Sequence, residues 1–489
     1  MVSSKKKIEI EPVLNEGLPK NNMKKIPTES KKTEKVKNRV QMSKSVVKKQ
    51  DKNTSPVQTV TPQGESKVSG TPVKTNTSQT SKAKTPDMGV KNVPVRKNMN
   101  QKYNQFQQKP TEDINRVVAQ PITGYLDIMP DNNGYVRPNF IPNGIDAFIP
   151  NSQIRRLNLR YGDLVSGFAR PPKRDEKKWG MVRIDKVNGL GLDGLKTRLK
   201  FKDLVPIYPD ELVTLETEGD ILSTRIIDIF CPVGFGQRGM LVSPPKAGKT
   251  TLLKEIAAGV TVNYPEVHLM AVLVGERPEE VTDLQRFIKG EVIASSFDQK
   301  PEEQTRAAEI AIERAKRLVE MGRDVFMVFD SITRLARAYN LSIPTSGRTL
   351  SGGFDPAALY PSKRFFGAAR NIEKGGSLTI IGTALVDTGS KMDDLIFEEF
   401  KGTGNMELWL TRELAERRVF PAFDLNRSGT RKEELLLEAE KLKASVQIRR
   451  MMDAMGRNNG ESSVAIIEQM RKTKDNKDFM AKLNKNKTA

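Results

Sequence analysis

The sequence predicts an α/β chain in which a parallel sheet winds around a phosphate-binding loop, preceded by a small β-barrel and a basic, disordered extension. Three observations predict this. A strand–loop–helix stretch from Gly239 to Ala258 carries Ser243-Pro-Pro-Lys-Ala-Gly-Lys-Thr250. Apolar runs long enough for buried strands recur downstream of it, separated by helical stretches. Upstream, short and partly alternating segments are punctuated by Gly, Pro and Asn.

The extension comes first in the chain. Residues 1–110 hold 24 Lys+Arg against 8 Asp+Glu, so a net of +16 out of the chain's +21 lies there. Through residue 112 the only aromatics are Tyr103 and Phe106, and no helical or strand period persists. Such a segment buries too little apolar area to offset its ordering entropy. Residues 1–112 are therefore expected to be disordered, either as a solvated tail or as a non-specific polyanion binder.

Residues 113–190 read as the barrel. Its strand candidates are Gly124–Met129, Gly134–Arg137, Asp146–Ile149, Asp163–Ala169 and Trp179–Val187. Their number and spacing suit an oligonucleotide-binding barrel. Tyr135, Phe148 and Trp179 fall on or beside strands, with Arg137, Arg155, Arg156, Lys177, Lys178 and Arg183 nearby. Rings that stack bases and cations that follow phosphates make a single-strand nucleic-acid site, and the same rings also suit an ordinary barrel core.

Residues 191–489 read as the α/β domain. Met240-Leu-Val242 suits a buried strand, and Thr251–Ala258 has helical spacing. A glycine loop between a strand and a helix presents backbone N–H groups and a helix N-terminus to an anion, with a lysine as point charge. Gly248, Lys249 and Thr250 fit that pattern, whereas Ser243 stands where its first glycine would be. The runs Leu269–Val274, Val325–Phe329 and Leu378–Val386 supply further parallel strands, and Pro301–Glu320 a helix. Asp330 ends one strand, where a carboxylate can hold Mg²⁺ opposite Thr250. Glu276 follows another, where it can polarise water. Arg431 lies far off in a polar stretch and carries no signal of its own.

Composition narrows the classes. A single cysteine, Cys231, excludes an internal disulfide and a four-cysteine metal site. The single histidine, His268, sits in an apolar run and reads as a core or strand-edge residue, which disfavours a Ser-His or Cys-His pair. No apolar stretch approaches a membrane span of ~20 residues, and no secretory core opens the chain, so the expectation is a cytoplasmic protein with no membrane partner.

Several segments together resemble the bacterial transcription termination factor Rho family. They include Gly234-Phe-Gly-Gln-Arg-Gly239, Pro244–Thr250, Glu276-Arg-Pro-Glu-Glu-Val281, Asp330–Asn340, Lys363–Arg370, Asp387–Asp393, Phe400–Glu407 and Asn426–Glu434. The barrel joins in at Gln153–Arg160 and Arg170–Lys173. The resemblance implies a RecA-like ATPase domain with a parallel sheet, preceded by a small OB/cold-shock-like β-barrel. It implies a homohexameric ring that binds single-stranded nascent RNA, moves along it by hydrolysing ATP with Mg²⁺, and releases the RNA polymerase elongation complex.

The resemblance also implies roles. Lys249, Lys246, Ala247, Gly248, Thr250 and Thr251 would hold the phosphates. Thr250 and Asp330 would hold the metal, and Glu276 would act on water with Arg277 beside it. Gly234, Phe235, Gly236, Gln237, Arg238, Gly239 and Phe420 would border the nucleotide. Arg431 would be an arginine finger reaching a neighbouring subunit's site. Tyr135, Arg137, Asp146, Phe148 and Trp179 would form the primary RNA site. The loop 343–354 and the loop around Lys391 would touch RNA inside the ring. Asn133 and Lys178 stand where the family puts stacking aromatics, Gly275 stands where it often puts an acid, and no helical subdomain pattern precedes the barrel. Two alternatives come from other classes: a rotary or export ATPase, and an RNA-binding scaffold lacking turnover.

Overall fold

The computed structural model describes residues 119–485, apart from 175, 196–197, 219–220 and 457–459. The extension expected over 1–112, and residues 113–118 of the barrel segment, lie outside the described residues.

The barrel is built from β1 (Gln120–Ile128), β2 (Gly134–Arg137), β3 (Ala147–Ile149), the short α1 (Asn151–Arg156), β4 (Leu164–Arg170), β5 (Trp179–Val187) and β6 (Leu190–Gly191). The order is β3-β2-β1-β4-β5-β6, and a parallel β3–β5 pairing closes it. Alternate residues point inward, as the period of two requires. On β4, Val165 and Ala169 are buried, and they meet Leu126, Val136, Ile149 and Val187 in one small core.

The α/β domain continues with β7 (Pro206–Ile207), β8 (Leu212–Val213), α2 (Leu222–Phe230), β9 (Val233–Gly234), β10 (Arg238–Ser243), α3 (Lys249–Asn263), β11 (His268–Glu276), α4 (Pro278–Phe287), β12 (Glu291–Ser296), α5 (Pro301–Val319), β13 (Val325–Asp330) and α6 (Ile332–Ser342). Then come α7 (Pro356–Phe366), β14 (Arg370–Ile372), β15 (Ser377–Leu385), α8 (Lys391–Lys401), β16 (Met406–Leu410), α9 (Arg412–Glu416), β17 (Phe423–Thr430), α10 (Ala439–Ala454), α11 (Glu461–Arg471) and α12 (Asn476–Lys485). The main sheet runs β12-β11-β13-β15-β10-β16-β17, parallel except for its last pair.

Both faces of this sheet are covered, which is why its strands are near-continuously apolar. Leu241 faces the core built with α2, α3 and the C-terminal helices, while Met240 and Val242 face the core built with α5, α6 and α7. Proline opens α4 and α5, each with two glutamates in its first turn, so the fixed φ and the helix dipole both favour the observed starts. The barrel sits along α5. Arg160 of the barrel pairs with Glu320 just past the helix end at 2.7 Å, and Arg314 donates to Asn188 Oδ1 at 2.8 Å.

Because β10, β11, β13 and β15 are parallel, their C-terminal ends share one edge of the sheet. Ligands of such sheets bind outside that edge. Ser243, Glu276, Asp330 and Leu385 are the residues the sheet delivers there.

Candidate nucleotide and nucleic-acid sites

Ser243 ends β10 fully buried, and its hydroxyl donates to the Pro244 carbonyl at 2.8 Å. The loop then turns through Lys246 (φ 66°) into Gly248 (φ 97°), and α3 starts at Lys249. A side chain at Gly248 would strain a left-handed backbone, so glycine is required there. No side chain caps α3, which leaves its N-terminal end available to an anion. Thr250 and Thr251 follow in its first turn. Lys246, Ala247, Gly248 and Thr251 line a cavity of about 620 Å³ with Phe420, Pro421, Leu222, Ser223, Glu255 and Arg471. Phe420 is 43% exposed, so its ring is open to stacking.

Behind the loop, Lys249 Nζ donates to Glu276 Oε1 at 2.9 Å and to Asp330 Oδ1 at 2.7 Å. Both carboxylates are essentially fully buried. Thr383 donates to Asp330 Oδ1 at 2.6 Å, and Arg334 pairs with Glu276 Oε2 at 3.2 Å. Burial, reinforced by the Asp330 charge, pushes the Glu276 carboxyl up to about 7 against the pull of Lys249 and Arg334. Burial lowers the Lys249 ammonium, but the Asp330 and Glu276 charges outweigh it and leave it raised. A general base poised near neutrality and a cation held in place are the elements such a site needs.

The residues also fit a hard divalent cation. Asp330 Oδ2 is buried without a hydrogen-bond partner, close behind the helix that carries Thr250. Among the described residues no cluster of three or more His, Cys, Asp or Glu stands ready for a metal. Mg²⁺ is usually bound by one or two protein oxygens together with waters and substrate phosphates, so this sparse donor set suits it.

The sequence reading missed Arg334 and Thr383, and the role of Gly275. The one available signal was an arginine one turn into the helix that follows a strand-end carboxylate. Gly275 has φ 68° and marks a register break between β11 and β12, which turns Glu276 relative to the strand before it.

Other candidates fall elsewhere. Arg277 is exposed at the start of α4, near Glu280. Gly234–Gly239 lie at the opposite end of β10 from the phosphate loop. There Gln237 and Arg238 are bonded to Asn405, and Gly236 N–H to Thr379. Arg431 is exposed at that same far end, where β17 pairs Thr430 with Met406. Gly239, which also pairs with Met406, is roughly 13 Å along β10 from Ser243 at strand rise. The fold does not bring Gly234–Gly239 or Arg431 to Lys249 of the same chain. His268 opens β11, with Nε2 3.3 Å from Glu291.

In the barrel, Tyr135 pairs across β2–β3 with Phe148, ring centroids 5.7 Å apart, and Trp179 pairs with Ala147 next to Phe148. All three rings are half-buried. Arg137, expected at the RNA site, is buried and paired. Its guanidinium is buried beside the Tyr135 ring, 2.5 Å from Asp127 and 3.6 Å from Asp146, because β2 puts it on the face of Tyr135, opposite the core residue Val136, and β1 presents Asp127 to that face. Asp146 is buried too, and burial raises its carboxyl above the usual range. Arg155, Arg156, Lys177 and Arg183 remain exposed around the platform. Asn133 is tied up in its turn, bonded to Asp131 and accepting from Asn151 N–H. Lys178 donates to the Asn143 carbonyl.

The two glycine-rich loops meet. A Cβ on Gly352 would stand 2.7 Å from the Met392 nitrogen, next to Lys391, which opens α8 exposed. Asp355 accepts from Ser346 and Ala357 and anchors the 343–354 loop, while Arg337 pairs with Asp393 at 2.6 Å under α8.

Fold and site together define an ATPase of the RecA-like class that carries a small nucleic-acid-binding barrel. Residues 223–430 match the ATP synthase alpha/beta family nucleotide-binding domain, and residues 122–193 match the Rho termination factor RNA-binding domain. The transcription termination factor Rho of Bacillus subtilis (strain 168) is 56% identical over 363 residues, covering 74% of this chain and 84% of its own length. That of Streptomyces lividans is 53% identical over 372 residues, 75% of this chain but 52% of that longer protein. A solved structure of a prototypical ATPase from the type III secretion system of pathogenic bacteria aligns at 24% identity and TM-score 0.48, covering 58% of this chain and 86% of that one. The chain belongs to the transcription termination factor Rho family. Among the described residues no helix is long and apolar enough to cross a membrane.

Proposed function

We propose that this protein is an ATP-dependent RNA translocase that engages nascent RNA and terminates transcription by releasing RNA polymerase. The observation that carries the reading is Lys249 bridging buried Glu276 and Asp330 in the same chain as the Tyr135–Phe148–Trp179 platform.

The adenine ring of ATP stacks on Phe420 and its phosphates lie against Lys246–Thr251. Entering phosphates compete for the Lys249 ammonium and free a Glu276 oxygen. Glu276, with its pKa near neutrality, then accepts the proton of the attacking water while Arg334 keeps the carboxylate oriented. Thr250 and Asp330 would hold Mg²⁺, which supplies charge neutralisation across the phosphates. Arg277 faces the terminal phosphate.

Arg431 stands at the far edge of its own sheet, so its guanidinium serves a neighbouring subunit, and the active form is a ring, here a homohexamer. Gly234–Gly239 share that edge and border the neighbour's nucleotide. RNA bases stack on the barrel rings, exposed cations follow the phosphates, and the 343–354 loop with Lys391 grips the strand inside the ring. The protein works in the cytoplasm, on the elongation complex.

The test is ATP hydrolysis by the purified chain with and without poly-pyrimidine RNA. Strong stimulation by RNA is expected. Turnover that ignores RNA would point to a rotary or export ATPase, and no turnover under any condition would point to a scaffold.

A further inference from the structure

The barrel rests on α5, and one of its contacts there touches both sites. Asp127 on β1 is fully buried and shared between two guanidinium groups. Arg137, under the Tyr135 ring, holds Oδ2 at 2.5 Å. Arg306 of α5 donates from Nε to Oδ2 at 3.2 Å, from Nη2 to Oδ1, and from Nη2 to the Ile128 carbonyl at 3.1 Å. Two residues earlier on α5, a rise of roughly 3 Å, Gln304 donates to the Ser296 and Gln299 carbonyls at 3.3 and 3.0 Å. The Gln304 side-chain oxygen lies 3.5 Å from the position of a Cβ on Gly275, the bulge residue before Glu276. About half a turn of one helix therefore separates Arg306, under the base platform, from Gln304, beside the residue that aims the catalytic carboxylate.

The platform side of this chain has open bonding capacity. Arg137 Nε and Nη1 and Asp146 Oδ1 are buried without hydrogen-bond partners. Polar atoms left unpaired in a low-dielectric interior respond strongly to a nearby charge or dipole. A base stacked on the Tyr135 ring, whose centroid lies 5.9 Å from the Arg137 guanidinium, competes for that cation, and Asp127 then gives a larger share of its charge to Arg306. The bond from Arg306 Nη2 to the Ile128 carbonyl keeps that guanidinium in register with β1.

We propose that Asp127, Arg306 and Gln304 act as a positioning relay through which a base seated on the barrel sets the placement of Glu276. The relay rests on the RNA-dependent reading given above. Arg306 and Gln304 bond to Asp127, Ile128, Ser296 and Gln299 and lie outside the phosphate loop and the ring platform, so they are positioning residues.

The experiment uses the full chain with Arg306→Gln, Gln304→Ala and the double variant. Binding of a short labelled pyrimidine oligonucleotide is followed by anisotropy, and ATP turnover is measured against poly-pyrimidine RNA concentration. Each single variant is expected to keep oligonucleotide affinity within ~2-fold while RNA-saturated kcat falls ~5- to 10-fold, the range of ordinary inter-site coupling. The double variant is expected to be no worse than the poorer single, because the two residues act in series. Arg306→Lys is expected to recover only part of the loss, since an ammonium cannot bridge both carboxylate oxygens. Unchanged RNA-saturated kcat in both single variants would overturn the relay, as would losses that multiply independently in the double. So would a kcat loss matched by an equal loss of oligonucleotide affinity, which marks a mere structural prop. A wild-type chain that RNA does not stimulate would instead sink the functional reading itself.

Discussion

Replacing Glu276 with glutamine should give a chain that binds ATP but barely turns it over, and whose stability responds to pH differently from the wild type. Glu276 is 1% exposed, between Lys249 on α3, Asp330 on β13 and Arg334 on α6. Burial and the Asp330 charge raise its pKa from the ordinary 4.5 to about 7. The folded protein therefore holds this proton more tightly than the unfolded chain does. The corresponding stability is fully present below pH 4.5 and is lost as pH rises through 7. Glutamine carries no such proton. The stability of Glu276→Gln relative to wild type should rise across that window, by on the order of 1–3 kcal/mol at ~1.4 kcal/mol per unit of separation. Denaturant titrations at pH 4.5 and 8, read from the buried Trp409 in a Trp179→Phe background, measure the difference within the α/β domain. Turnover should fall ~10²- to 10⁴-fold, the usual contribution of a general base. A pH-independent stability difference would show that Glu276 is not the titrating group, and hydrolysis near the wild-type rate would remove it from the chemistry.

Arg431→Ala should abolish turnover by about 10³-fold or more while leaving ATP affinity intact. Mixing it with Glu276→Gln subunits should restore activity, and mixed assemblies that stay dead despite proven subunit exchange would refute action in trans. Gly275→Ala places a side chain 3.3 Å from Arg334 Cδ on a left-handed backbone. It should lower kcat by about tenfold or more with only a modest Tm loss, checked by steady-state kinetics beside a thermal melt. Tyr135→Ala should weaken oligonucleotide binding by ~1–3 kcal/mol without changing ATP affinity, measured by anisotropy. Deleting residues 1–112 should reduce RNA affinity most at low salt and flatten the salt dependence, since that segment carries most of the net charge. An unchanged slope would assign the extension another partner.

Local chemistry made much of this protein legible from its sequence. The phosphate loop needs a positive-φ glycine before a helix, and Gly248 announces that in any context. Strands covered on both faces must be apolar throughout, so β10, β11, β13 and β15 stood out, and with them the carboxylates at or just past their ends. The alternation of the barrel strands followed from having one face in the core.

Tertiary structure decided what depends on elements distant in sequence. Arg137 read as a cation beside aromatics, and the fold buries it next to the Tyr135 ring, where Asp127 and Asp146 neutralise it. Arg334 and Thr383 gain their roles only because β13, α6 and β15 converge behind Lys249. Arg431 lies at the far edge because β17 runs antiparallel to β16 and brings Thr430 back to Met406 at the start of that strand, and Gly234–Gly239 lie there because they lead into the start of β10. Sequence spacing fixes which residues share a face of one element. Which faces meet, and which buried charges find partners, is set by packing across the whole fold.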